Sequence, residues 1–343
     1  MLRPHFWVVR NLDSEQTVEA RRCRRSPVPG PISQRKTRPP MDMISVVIPV
    51  YRDGARGVSA AQAILDQVVP AGCELEVVLV DDGSDDDTAE LLKRCADERV
   101  RLLSLPRNAG RSAARNAGAA AVRSSIIVFM DCDCVPVDRH MIEAHYAVLT
   151  AGAVASTGEV TGRDSGFWSR YQTMASARRA RQHAQGVTHA GSSQNLAVLR
   201  DAFQRVGGFD TGYRRYGFED RDLLLRLATW GRVEWAGRAR VRHLDELTLV
   251  GVSAKMREAG GPSAAEFARR FPEAYITLGY AAIDSRRHPS LRLIARIAEP
   301  RLSWLAASVD HMLRIPMPFA FKAAAVRLVS ALSFCVGTAT SES

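Results

Sequence analysis

Several features that would fix a fold class at once are missing. Cysteine is scarce, six in 343 residues (Cys23, Cys73, Cys95, Cys132, Cys134 and Cys335). No CxxC or Cys/His spacing accompanies them, which excludes a zinc site and a disulfide scaffold and leaves reduced, core-filling thiols. No run of about 20 uncharged apolar residues occurs, and Arg and Glu stand where a secretory apolar segment would lie, so a cytoplasmic chain is expected. With 46% hydrophobic, 24% charged and 7% aromatic residues, disorder, collagen-like repeats and coiled coil are excluded as the main class.

The net charge of +10 lacks the distribution that nucleic-acid binding needs. Residues 1–42 carry nine Lys/Arg against four Asp/Glu and residues 285–343 eight against three, so each end contributes +5 and the centre is neutral. A neutral centre argues against a folded nucleic-acid groove; basic ends suit an anionic membrane surface, and peripheral contact with the inner face of the cell membrane is one expectation.

Three segments follow. Residues 1–42, with their Arg clusters, Pro and Gly and no periodic apolar face, read as a flexible basic tail. Residues 43–284 read as one α/β domain of two halves, about 43–135 and about 136–284. Its first half alternates apolar runs, ISVVIPV (44–50), LEVVLVD (75–81), VRLLSL (100–105) and SIIVFMD (125–131), with segments of helical length. Such runs are strands buried on both faces of a mostly parallel, doubly wound sheet, which binds ligands at the carboxyl ends of its strands. Ser84 and Asp87 have the spacing of a capping box for a helix over 85–97. Beyond 160 the pattern predicts longer helices, a helix over 219–230 and short strands over 233–237 and 240–244. Residues 285–343 read as a basic, amphipathic helical extension. Lys322 and Arg327 interrupt its last apolar run against spanning a bilayer, leaving a helix packed on the domain or one lying on anionic lipid.

Chemistry-bearing residues fall at the predicted strand ends. Asp131 and Asp133 follow IIVFM, and residues two apart in an extended chain point to one side. Two carboxylates aimed at one point repel unless a cation lies between them; Mg2+ or Mn2+ suits such hard oxygen ligands and could neutralise a diphosphate. Cys132 between them would be open to oxidation if exposed. A second acidic group, FEDRDLLLRL (218–227), opens the later helix, where carboxylates also favour the positive helix terminus.

In order, VVIPVYRD (46–53), VVLVDDGSDDDT (77–88), LPRNAGRSAARNAGAA (105–120), the DCD triplet and GSSQNLAVLRDAFQRVGGFD (191–210) resemble the family 2 glycosyltransferases of the GT-A fold over about residues 43–245. That resemblance implies a GT-A type nucleotide-diphospho-sugar transferase fold with a helical C-terminal extension, in which 43–135 is the nucleotide-binding half and 136–284 the acceptor half. It also implies an inverting transfer of one sugar from a nucleotide diphosphate donor, UDP-linked by expectation, to an acceptor hydroxyl in cell-surface polysaccharide, glycolipid or other glycoconjugate synthesis. Carried over position by position, Pro49, Tyr51 and Asp53 line the nucleotide pocket, Asp82 meets the base, Arg115 lies near the nucleotide, and Asp131 touches ribose or metal. Asp133 and His243 are metal ligands for Mg2+ or Mn2+, and Asp220, beside Glu219, is the general base. No QxxRW motif occurs, which argues against a processive synthase. Two other readings carry less support. A sugar-phosphate nucleotidyltransferase would need a glycine-rich phosphate loop after the first strand, and a degenerate, charge-driven membrane or polyanion binder would have no use for the ordered motifs.

Overall fold

The computed structural model describes residues 43–95 and 97–340; the tail predicted over 1–42 lies outside them. The strands are β1 (Met43–Val50), β2 (Glu74–Asp81), β3 (Val100–Ser104), β4 (Ile126–Met130), β5 (Cys134–Pro136), β6 (Ala155–Thr161), β7 (Asn195–Leu199) and β8 (Val233–His243). The helices among them are α1 (Gly54–Leu65), α2 (Thr88–Lys93), α3 (Arg111–Ala121), α4 (Met141–Thr150), α5 (Phe167–Ala184), α6 (Arg200–Arg205) and α7 (Glu219–Ala228). A helical region follows: α8 (Leu249–Gly260), α9 (Pro262–Arg270), α10 (Pro272–Thr277), α11 (Pro289–Ala298), α12 (Leu302–Leu313) and α13 (Phe319–Thr340).

The eight strands form one sheet in the order β3-β2-β1-β4-β7-β6-β8-β5. β1 pairs in parallel with β2 and β4, Val46 lying opposite Val77 on one side and Val128 on the other. Val46, Val77, Val78, Val128 and Phe129 are all fully buried, and each such side chain contributes about 1.5–3 kcal/mol by leaving water. Parallel pairing puts the carboxyl ends of β1, β2 and β4 along one edge. β7 then runs antiparallel to both β4 and β6.

Helix α3 sits unusually close to this sheet, because a Cβ at Gly118 would collide with Val47 and Val80. That approach drives Arg115, one turn earlier on α3, into the interior at 2% exposure. Asn116 fixes the other side of the helix: its amide donates to the Phe209 carbonyl at 2.8 Å and accepts from the Phe209 N–H at 2.9 Å.

Three expectations need correction. The Ser84 and Asp87 capping box does not form: Ser84 Oγ accepts from the Arg52 N–H, Asp86 Oδ1 caps Thr88 N, and the helix spans only 88–93. The strands expected at 233–237 and 240–244 are one strand, β8. Its register against β6 jumps from Gly158↔Ala236 to Glu159↔Arg240, so Gly237 to Ala239 bulge out. β6 and β7 were not expected at all, β6 because its buried run is Ala, Ser, Thr and Gly, with Val160 alone as a branched apolar residue. Helix α13 has 22 residues, and an 18-residue stretch of it with a mean hydropathy of 1.7 is long and apolar enough to cross a membrane by length and composition, a test that the core helix of a soluble protein also passes. In this structure it packs on α8, α11 and α12.

Candidate active site

Three groups of side chains meet at the strand ends. The first lies beyond β1 and β2. Asp82 accepts from the Ala109 and Gly110 N–H groups at 2.9 and 3.0 Å, so it anchors the loop before α3. Burial raises its carboxyl above the usual range against those two bonds. Pro49 is half-buried on β1, Asp53 precedes α1, and Tyr51 is exposed with the Arg52 guanidinium 5.3 Å from its ring centre. Arg52 itself is tied to Asp85 at 2.6 and 2.5 Å.

The second group follows β4, where the two aspartates take different partners. Asp131 pairs with Arg115 at 2.5 Å. Asp133 stands 3.2 Å from His243 Nε2, because β5, immediately after the triplet, pairs with the end of β8 and places Cys134 opposite His243. Asp245, which the motif comparison did not single out, completes this group: ligand atoms of Asp133, His243 and Asp245 lie within 4.8 Å of one another. His243 and Asp245 are two apart at a strand end, the same spacing that marks Asp131 and Asp133. Arg56 bridges Asp53, at 3.3 Å, and Asp245. Burial opposes charge on His243, but the Asp133 carboxylate outweighs it and holds the imidazole above its ordinary range. His243 Nδ1 is buried without a partner. Two carboxylates and an imidazole converging on one point fit a divalent ion, and the mixed oxygen and nitrogen set suits Mn2+.

Cys132, between the two aspartates, is half-buried. The thiol is pushed well up by that burial and by Asp133 and Asp131, which suppresses the reactive thiolate.

The third group opens α7. Phe218 precedes it with φ 73°, a left-handed conformation strained for a bulky residue. The ring is locked in place by stacking on Phe267 at 4.8 Å and meeting Tyr280 edge-on at 5.0 Å. The three acidic residues that follow then separate into two roles. Asp222 is fully buried and saturated, accepting from Tyr213 Oη at 3.1 Å, Arg226 Nε at 2.5 Å and Arg270 Nη1 at 2.7 Å. Glu219 Oε2 and Asp220 Oδ1 are buried without partners. Burial first, and the neighbouring Asp220 charge second, raise the Glu219 carboxyl; Arg111, 3.6 Å away, and Arg115 pull the other way.

Arg115 joins the second and third groups. Burial opposes its charge, but Asp131, Asp220 and Glu219 outweigh it and raise the guanidinium. Two of its nitrogens, Nε and Nη1, are buried without partners, an arrangement able to receive an anionic oxygen between the strand-end carboxylates and the helix.

A sheet with paired carboxylates at its carboxyl edge, facing a second acidic pair across a buried arginine, defines a GT-A type sugar-nucleotide transferase fold. Residues 45–207 match glycosyl transferase family 2, and residues 183–240 match the N-terminal domain of galactosyltransferase. Residues 45–207, just under half of the chain, thus carry a glycosyl transferase family 2 domain. Among curated proteins, glycosyltransferase GlyG of Streptococcus pneumoniae is 35% identical over 31% of this chain and 34% of its own length. Glycosyltransferase AglE of Haloferax volcanii is 26% identical over 58% and 62%. An undecaprenyl-phosphate 4-deoxy-4-formamido-L-arabinose transferase of Pseudomonas aeruginosa is 38% identical over 27% and 29%. The chain thus spans less than two thirds of each of these relatives. Among solved structures, mannosyltransferase PcManGT of Pyrobaculum calidifontis, in complex with GDP-Man and Mn2+, is 18% identical with a TM-score of 0.60 over 88% of each chain, which establishes the shared fold.

Proposed function

We propose that the protein transfers a single sugar, with inversion, from a nucleotide diphosphate donor, UDP-linked in this reading, to the hydroxyl of an acceptor in glycoconjugate synthesis. The observation that carries the reading is the division among the α7 carboxylates: Asp222 is saturated by structural partners, while Glu219 and Asp220 keep a buried, unpartnered oxygen. A pair serving only the helix terminus would not need to be kept free of partners.

In the proposed reaction the acceptor oxygen attacks the anomeric carbon, its proton passes to the Asp220 carboxylate, and the bond from that carbon to the diphosphate oxygen breaks. The nucleoside diphosphate leaves with the bond's electron pair. General base assistance of this kind contributes about 10²–10⁴-fold. Glu219, held protonated more readily by burial, keeps the second negative charge away from the developing diphosphate. Arg115 places its unpartnered N–H groups where that charge grows. Pro49, Tyr51, Asp53 and Asp82 frame the nucleotide, Asp82 offering acceptor lone pairs to a base N–H. Asp133, His243 and Asp245 would hold a divalent ion, which supplies charge neutralisation to the diphosphate when bound.

Donor hydrolysis tests the reading without a known acceptor. Release of free nucleoside diphosphate is followed with UDP-, GDP- and dTDP-sugars, in Mn2+, Mg2+ or EDTA. The expected result is release from one donor class that stops in EDTA. Binding of no nucleotide in any of these conditions would refute it.

A further inference from the structure

The helical region after α8 exposes apolar side chains on a scale that the catalytic reading does not use. Leu293 is 63% exposed, Ile297 57%, Trp304 72%, Ile315 46%, Phe321 67% and Leu328 68%. Their placement follows from how the helices pack. α11 and α12 turn Ala295, Leu302, Ala306 and Leu313 toward α13. Leu293 and Ile297, one turn apart on α11, and Trp304 on α12 lie off those packed positions. Ile315 lies in the short connection between α12 and α13, and Phe321 and Leu328, seven residues apart and so on one helix face, lie exposed on the first half of α13.

The charges around this surface are of one sign. Two acidic residues occur among the described residues after Ser285, and both are engaged by α8: Glu299 pairs with Arg257, and Asp310 accepts from the Leu249 and Val250 N–H groups at 2.6 and 3.1 Å. Arg296, Arg301, Arg314 and Arg327 are exposed, and none has an ion pair among the described residues. A water-facing helix gains nothing from Trp and Phe at these exposures. A protein partner would need acids or apolar area matched to this surface, whereas a bilayer carrying anionic headgroups satisfies both components at once.

We infer that α11, α12, the 314–318 connection and the first half of α13 form an interfacial membrane-attachment surface. Its apolar side chains lie at the level of the acyl boundary, and Arg296, Arg301, Arg314 and Arg327 contact anionic lipid headgroups. The surface is independent of the transfer chemistry, because none of these residues belongs to the site at the strand ends.

Vesicle flotation of the full chain tests it, with phosphatidylcholine alone and with about 30% phosphatidylglycerol. Binding should require the anionic lipid and weaken several-fold between about 0.1 and 0.5 M salt. An Ile315→Ser/Phe321→Ser/Leu328→Ser variant and, separately, an Arg296→Gln/Arg314→Gln/Arg327→Gln variant should each lose about tenfold or more in partitioning. Circular dichroism and donor hydrolysis should be unchanged, showing that both variants are folded. Equal binding to neutral vesicles, or undiminished binding by both variants, would overturn the inference. Retention in high salt with release by detergent alone would replace it with a spanning α13. Dimerisation in vesicle-free solution, lost in the apolar variant, would assign the surface to a second copy of the chain.

Discussion

At the scale of single residues, partners decide what a carboxylate can do. Asp133 and Asp131 share a motif but differ in role, one facing His243 and Asp245 and the other held by Arg115. Replacing Asp245 with Ala should therefore lower Mn2+ affinity about 10–100-fold, in the range seen when metal-binding groups and their supports are removed. Replacing Asp131 should disturb Arg115 more than metal binding. Calorimetric titration of Mn2+ into both variants separates the two, and equal losses would contradict the assignment. His145 gives a prediction of a different kind. Its ring bridges Ser156 and Asn195 at 2.8 and 2.7 Å, and burial drives its pKa down from 6.5 to about 4. The unfolded chain thus takes up a proton first as pH falls. The associated stability is complete above about pH 6.5 and is lost toward pH 4, by about 3 kcal/mol. Urea unfolding across that window should show the decline, and His145→Gln should flatten it.

At the scale of elements, close approach is the recurring device. Asn116 clamps α3 to the 208–209 turn through two hydrogen bonds, and Gly208 at φ 69° would put a Cβ against the Asn116 side chain. Asn116→Ala should cost about 1–3 kcal/mol by leaving both Phe209 groups unpaired. It should also lower donor turnover, because Arg115 adjoins the clamp; thermal unfolding and donor hydrolysis measure the two effects. α8 and α13 cross through Gly260 and Gly337, where a Cβ would strike Phe334 and Arg257 backbone atoms. Gly337→Val should cost about 1–3 kcal/mol in chemical unfolding.

These elements also show how much was written in the chain. β1, β2 and β4 are legible because a strand buried on both faces must be a near-continuous Val/Ile/Leu run. β6 is equally buried but satisfies its interior with Ser156, Thr157 and Gly158, whose side chains carry no apolar signal. Asp131, Asp133, Glu219, Asp220 and His243 could be singled out from motif order and strand-end position. Asp245 could have been found from its spacing to His243. Arg226, four residues after Asp222 on α7, is a partner the helical spacing offers; what no pattern reveals is that Tyr213 from the preceding loop and Arg270 from α9 complete its saturation while its two neighbours stay unpartnered.

At the scale of the whole molecule, a central domain of zero net charge is joined to a helical region on which Arg296, Arg301, Arg314 and Arg327 face solvent, so the proposed donor chemistry and the proposed surface attachment fall to different parts. Asp220 is proposed to act in the chemical step rather than in holding the fold or the donor. The most direct measurement is donor turnover and donor affinity, taken together, in wild type and Asp220→Asn with saturating Mn2+. Turnover should fall about 10²–10⁴-fold while affinity stays within about twofold, as expected for an interaction made only in the transition state. An affinity loss as large as the turnover loss, or unchanged turnover, would contradict the claim.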